Sequence, residues 1–257
     1  MFGHVVKKYR GRIDGLERRI VALENGSYAS NVLGNGTARE VENFTPRRSY
    51  SIEAEDLLAD TIFNAVLKFH HAGTYLDIGA AHPVQHSNTY LFYERGWRGI
   101  CVEPNPEFYA LYKTYRSHDT ALNVGIAPKA GTLQYHRFAQ PLINGFFGQD
   151  LIDRHIASGE TYLGSSKVPC LGIGAFLREK IKKPIDFLNI DVETLDASIL
   201  AAWDWNACRP AVICAEIHTS GIRSMLDTDV SRILEAAGYR AMCRGWLSAI
   251  FVENEKL

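Results

Sequence analysis

Five cysteines, Cys101, Cys170, Cys208, Cys214 and Cys243, are odd in number and scattered, mostly inside apolar runs, and none form a Cys-x-x-Cys pair. That pattern predicts reduced core thiols in a cytoplasmic protein. Charge of one sign is also missing: the formal net charge of -1 gives no field to hold a polyanion, which excludes a nucleic-acid backbone as the expected partner. The first residues, Met-Phe-Gly-His-Val-Val-Lys-Lys, contain no uninterrupted apolar segment, so neither a signal peptide nor a membrane span is expected there. No internal repeat is present. Glycine is absent where a dinucleotide turn needs it: in Gly-x-Gly-x-x-Gly register, Gly79 is followed by Ala81 and Val84. A pyrophosphate would fit poorly, which argues against a nicotinamide dehydrogenase.

What is present is a chain of 257 residues, 46% hydrophobic and 22% charged, long enough for one large α/β domain and an appendage. Its organising stretch is Gly73 to Thr89. Tyr75, Leu76 and Ile78 form an apolar run ended by Gly79, the pattern of a buried parallel strand entering a tight turn. Asp77 inside that run is costly to bury without partners, which places it where the strand meets a ligand. A second strand, Gly99 to Val102, is closed by Glu103, where a first βαβ unit sets an acid for ribose hydroxyls. Asp-x-Gly without a phosphate cradle suits a cofactor carrying an amino acid and a sulfonium, S-adenosylmethionine.

Before this core, Val6, Tyr9, Ile13, Leu16, Ile20 and Leu23 alternate spacings of three and four. The stripe predicts a coiled-coil oligomerisation helix over 1–24, dimeric or trimeric, with a helix lying on its own domain as the alternative. Residues 25–49 are rich in Gly, Asn, Ser and Arg and read as a linker, which leaves 50–257 for the catalytic domain. A helix with Ser51 as N-cap and an apolar face of Leu57, Leu58, Ile62, Val66 and Phe69 precedes the first strand. Ser87, Asn88 and Thr89 offer N-cap chemistry for a short helix whose free N–H groups would receive the cofactor's carboxylate. Further on, the chain predicts a helix over 108–115 and a third strand over 121–126, with Asn123 near the adenine. A strand over 132–138, a fourth parallel strand over 185–193 and a helix over 195–203 are expected next. A fifth strand over 211–217, a helix over 230–237 and an antiparallel edge hairpin of 239–244 with 247–253 complete the pattern.

With these motifs in place, the sequence resembles the FkbM-type S-adenosylmethionine-dependent methyltransferases over about Ser49 to Val252. The resemblance rests on Ser51 to Asp56, Leu76-Asp77-Ile78-Gly79-Ala80, Ser87-Asn88-Thr89-Tyr90-Leu91-Phe92 with Gly96-Trp97-Arg98-Gly99, and Glu103-Pro104-Asn105-Pro106. It extends to Ile185-Asp186-Phe187-Leu188 and Ile190-Asp191-Val192-Glu193. It implies a Rossmann-like, mostly parallel sheet of seven strands and O-methylation of a sugar, glycan or natural-product hydroxyl. The sequence departs from the family pattern in carrying Ile52 and Ala54 in places of Gln and Gly, and Thr194 where Gly usually follows Asp-Val-Glu.

The expected cofactor contacts are Asp77, Gly79, Ala80, Ala81, Ser87, Asn88, Thr89, Glu103, Pro104, Asn123 and Asp191. Methyl transfer is an in-line displacement that needs alignment and removal of the hydroxyl proton. Ligands of open α/β sheets sit at the carboxyl ends of the strands, which nominates Asp191, Glu193, Glu216 and His218 as catalytic. Asp191 and His218 are the expected bases, or the holders of a divalent metal that acidifies the hydroxyl; Glu193 alternatively caps the following helix. His82 and His86 are expected to line the methionine end, since Pro83 between them argues against a helix-borne metal pair. The expected acceptor is a sugar in a glycan or surface polysaccharide, with a small natural product, or an inactive cofactor-binding scaffold subunit, as alternatives.

Overall fold

The computed structural model describes residues 47–257, with a compact unit from Ser49 to Leu257. The expected coiled coil and nearly all of the expected linker lie outside the described residues.

Seven strands build the main sheet: β1 (Thr74–Ile78), β2 (Arg98–Val102), β3 (Thr120–Leu122), β7 (Phe187–Ile190), β8 (Val212–Glu216), β9 (Tyr239–Arg244) and β10 (Ser248–Glu253). Their order is β3-β2-β1-β7-β8-β10-β9, and β10 alone runs against its neighbours. This is the expected mostly parallel α/β sheet with a C-terminal antiparallel hairpin. Alternation divides the strands between two cores. Leu76, Ile78, Leu188, Ile190, Ile213 and Ala215 face one side, where they meet helices α5 (Ile173–Lys180), α6 (Asp196–Ala201) and α8 (Asp229–Ala236). Tyr75, Cys101, Phe187, Val212 and Cys214 face the other, against α1 (Glu55–Thr61), the π-helix Ile62–Val66, α2 (Tyr90–Glu94) and α3 (Pro106–Tyr115). Fully burying one such aliphatic or aromatic side chain contributes about 1.5–3 kcal/mol, so both faces anchor the strands firmly. The five cysteines are free thiols and four of them are buried, as expected.

Three local expectations are corrected. The predicted third strand over 121–126 is two strands in two sheets, because Asn123 turns aside to donate its amide to the carbonyls of Glu103 and Pro104. After it, β4 (Gly125–Ala127) pairs with β6 (Tyr162–Gly172), which also pairs with β5 (Gly131–Phe138) in a separate three-stranded sheet. Ser51 is not at the N-cap position, which Ala54 takes in left-handed backbone at φ 65°; the Ser51 Oγ still accepts from the first-turn Asp56 N–H at 3.3 Å, and its hydroxyl and that of Ser49 donate to the Asp56 carboxylate. The buried face of this helical segment is Ala59, Ile62 and Phe63 beside Glu55, Asp56 and Asp60, whereas Val66 is exposed. Between β5 and β6, Gln149–Ala157 forms α4, and α7 is Ile222–Leu226. No helix among the described residues is long and apolar enough to cross a membrane.

Candidate active site

The chain winds one way through β1, β2 and β3 and the other way through β7 and β8, so the order reverses between β1 and β7. Ligands of open α/β sheets bind in the crevice at such a reversal. A cavity of about 260 Å³ lies there. Gly79 makes the opening: it sits at φ 79°, and a Cβ on it would fall 1.7 Å from the Asp191 carbonyl oxygen. Only glycine lets β1 turn this close to the end of β7.

Twelve of the fourteen predicted site residues line this one cavity, with Asp77, Gly79, Ala80, Ala81, Ser87 and Asn88 on one side, Glu103 and Pro104 beside them, and Asp191, Glu193, Glu216 and His218 opposite; Asn189 joins them. Thr89 and Asn123 are elsewhere: Thr89 is fully buried behind Asp77, and Asn123 is held by the turn described above. His86 reaches the cavity wall, while the ring of His82 closes its own turn by accepting from the N–H groups of Val84 and Gln85.

On the side of β1 and β2, Asp77 lies in register with Asn189 across β1 and β7, on the same sheet face. Its carboxylate accepts from Asn189 Nδ2 at 2.8 Å and from Thr89 Oγ1 at 2.5 Å. Asn88 Nδ2 in turn donates to Asn189 Oδ1 at 2.9 Å. Glu103 accepts from the N–H groups of Ala81, at 2.7 Å, and Asn105, at 2.5 Å. Burial nevertheless raises its carboxyl to about 7, against those two hydrogen bonds. Of the N–H groups expected to take the cofactor's carboxylate, those of Thr89 and Tyr90 are engaged by Ser87 Oγ.

On the opposite side, four acids share one corner. Burial first, then repulsion from Glu216, Asp196 and Glu193, raises Asp191 well above the ordinary carboxyl range, and Asp191 shares a hydrogen bond with Glu216. Glu216 is pushed up to about 8 by burial and by Glu193 and Asp196, and its Oε1 lies 2.7 Å from His218 Nε2. The loop 141–147, carried by the three-stranded sheet, closes the wall: Thr194 Oγ1 donates to the Phe146 carbonyl at 3.3 Å, and a Cβ on Gly145 would come within 3.1 Å of Glu193 Cβ. Glu193, Glu216 and His218 each offer a ligand atom within 4.8 Å of the others.

The sequence reading missed Asn189, whose signal is an amide inside a buried strand, and the loop 141–147, which carries no motif. It also gave no role to Arg116, which is buried behind Thr89 and Asp77.

The residues fit the cofactor expected of them. Five carboxylates and no Lys or Arg line the cavity, which suits a cationic sulfonium with a ribose and disfavours a pyrophosphate. A family model, the methyltransferase FkbM domain, matches residues 77–241, more than half of the chain. No curated protein matches. Among solved structures, the chain is similar to methyltransferase FkbM from Methylobacillus flagellatus KT, with 12% identity and a TM-score of 0.43 over 91% of this chain and 59% of that one. It thus spans less than two thirds of that relative. It is also similar to monomeric WbdD, at 10% identity and TM-score 0.44 over 86% and 45% of the two chains. A third similar structure is an O-methyltransferase from Bacillus cereus in complex with S-adenosylhomocysteine, at 15% identity and TM-score 0.40 over 89% and 96%.

Proposed function

The chain belongs to the FkbM methyltransferase family, and from that premise we propose that it methylates a hydroxyl of a sugar within a glycan or surface polysaccharide. The observation that carries this reading is the charge of the cavity. With five carboxylates and no Lys or Arg in its wall, it favours an uncharged, hydroxyl-bearing acceptor over a phosphorylated or carboxylated one.

S-adenosylmethionine supplies the electrophilic methyl group. The chain's own residues do the rest. Asp77, Glu103 and Asn88 hold the cofactor side of the cavity, and the Asp191 and Glu193 corner holds the acceptor. His218 takes the hydroxyl proton at Nδ1 as the new oxygen–carbon bond forms, and Glu216, accepting from Nε2, fixes the ring. Asp191, raised above the ordinary carboxyl range, shares a hydrogen bond with Glu216 that keeps the Glu216 carboxyl aimed at the histidine. A second reading rests on the convergence of Glu193, Glu216 and His218, a mixed oxygen and nitrogen set that fits a divalent ion able to acidify the hydroxyl.

Mass spectrometry of candidate glycans incubated with the protein and isotopically labelled cofactor tests the reading. A labelled methyl ether on a sugar hydroxyl is expected, and label found solely on nitrogen, or solely on a non-sugar natural product, would refute it. Loss of turnover in chelator, restored by magnesium or manganese, would select the second reading over the proton-transfer one.

A further inference from the structure

Behind the cofactor wall sits a guanidinium that the transfer chemistry does not use. Arg116 follows α3 and its side chain is completely buried. Its Nε donates to Asp119 Oδ2 at 2.7 Å, and Nη1 donates to Thr89 Oγ1 at 2.9 Å and to Ser87 Oγ at 3.4 Å. Nη2 has no hydrogen-bond partner, and the plane lies 5.1 Å from the Tyr75 ring and 5.5 Å from those of Tyr93 and Tyr112.

A threonine hydroxyl has one proton to give. Because Thr89 Oγ1 accepts from Arg116, its proton is free for Asp77 Oδ2, so the polarity of the relay is fixed as Arg116 to Thr89 to Asp77. Asp119 does not depend on Arg116 alone: it also accepts from Tyr75 Oη at 2.6 Å and from the Gly99 N–H at 2.9 Å.

We propose that Arg116 is a positioning residue for cofactor binding: acting through the Thr89 hydroxyl, it supplies the positive charge that lets Asp77 stand as a carboxylate in the cavity wall, facing the cationic end of S-adenosylmethionine. The inference rests on the assignment of Asp77 to the cofactor side. Asp77 is 1% exposed, and a carboxylate so buried with only neutral donors takes up a proton. Among the described residues, the other ionisable groups that act on it are all acidic: Cys101 in register on β2, Glu103 at the end of β2, Tyr112 on α3, Cys214 on β8 and Asp119. Among the described residues Arg116 is the one cation that opposes the effect of burial, which still leaves the Asp77 carboxyl raised.

The test is calorimetric titration of the full chain with S-adenosylmethionine from pH 6 to 8.5, using Arg116→Met, Thr89→Val and Asp77→Asn. Arg116→Met is expected to bind about tenfold or more weakly than wild type at pH 6.5 and to fall less far behind it as the pH rises, because higher pH favours the Asp77 carboxylate without help. Thr89→Val cuts the relay and leaves the Arg116–Asp119 pair intact. It should shift the profile in the same direction by a smaller amount, and it decides the matter if Arg116→Met does not fold. Asp77→Asn should bind weakly at every pH. Wild-type affinity in Asp77→Asn would overturn the assignment of Asp77 itself. Weak binding in Asp77→Asn, together with a wild-type or pH-independent profile in the other two variants, would overturn the role of Arg116 alone.

Discussion

Glu216→Gln should make the ligand-free protein more stable and less active, and the gain should appear only at high pH. Glu216 moves from an ordinary 4.5 to about 8 in the fold because it is buried and faces Glu193 and Asp196. A carboxyl raised by folding is bound more tightly in its protonated form, so its contribution is complete below pH 4.5 and drains away as the pH rises to about 8. Such a displacement corresponds to roughly 4–5 kcal/mol for an isolated group. Asp191 shares the proton with Glu216, so removing one carboxylate should recover about half of that, about 2 kcal/mol at pH 8, and almost nothing at pH 5. For a domain of this size the gain corresponds to about 4–8 °C in Tm at pH 8. Glu103, raised to about 7, and Asp196, raised to about 6, tilt the wild-type curve the same way. Urea denaturation at pH 5, 6.5 and 8 measures the difference. Turnover should fall by about tenfold or more, since the amide orients His218 without stabilising its charged form. Wild-type stability that rises from pH 5 to pH 8, or a Glu216→Gln effect equal at both ends, would refute the reasoning.

Glu103→Ala should weaken S-adenosylhomocysteine by roughly ten- to a hundredfold, about 1.5–3 kcal/mol for a lost charged acceptor, and calorimetry that finds unchanged affinity would remove Glu103 from the site. Ala54→Gly should stabilise the fold by about 0.5–1 kcal/mol, since Ala54 sits at φ 65° and glycine reaches that backbone without steric cost. A loss of stability on urea denaturation would show that the alanine methyl packs usefully.

Much of the fold was legible because two sheet faces impose two apolar periodicities. Leu76 with Ile78, and Leu188 with Ile190, mark one core, and acids placed where those runs end mark the cavity. The strand β6 was not legible, since Tyr162–Gly172 carries Gly164, a Ser-Ser-Lys run and Pro169, all poor strand formers held by pairing on both sides. The face of α1 was misread for a related reason. Glu55, Asp56 and Asp60 are buried there because specific partners receive them, such as the N–H of Glu53, the hydroxyls of Ser49 and Ser51, and Asn64, and no periodicity records such pairing. Arg116 escaped notice likewise: a lone arginine after a helix reads as solvated until the fold closes over it.

The two places where the sequence departs from the family's glycines share one physical trait. Ala54 and Thr194 both lie in left-handed backbone, at φ 65° and 66°, so the chain keeps a conformation that glycine would adopt freely. At Thr194 the strain is the greater, because a branched side chain tolerates this region poorly and Glu193 beside it is also left-handed, at φ 50°. Strain of about 1–3 kcal/mol per residue persists only where the surroundings over-determine the backbone. Here they do: the Leu195 N–H donates to the Glu193 carbonyl at 2.8 Å, Val192 N–H to Asp196 Oδ1 at 3.2 Å, and Thr194 ties itself to Phe146 of the loop 141–147. The threonine hydroxyl thus supplies a link that glycine has no atoms to make, between the strained turn after β7 and the loop that closes the cavity wall. The turn holds Glu193 against Glu216 and His218 at the cost of local stability, which is the same exchange that the raised carboxyls of this corner record electrostatically.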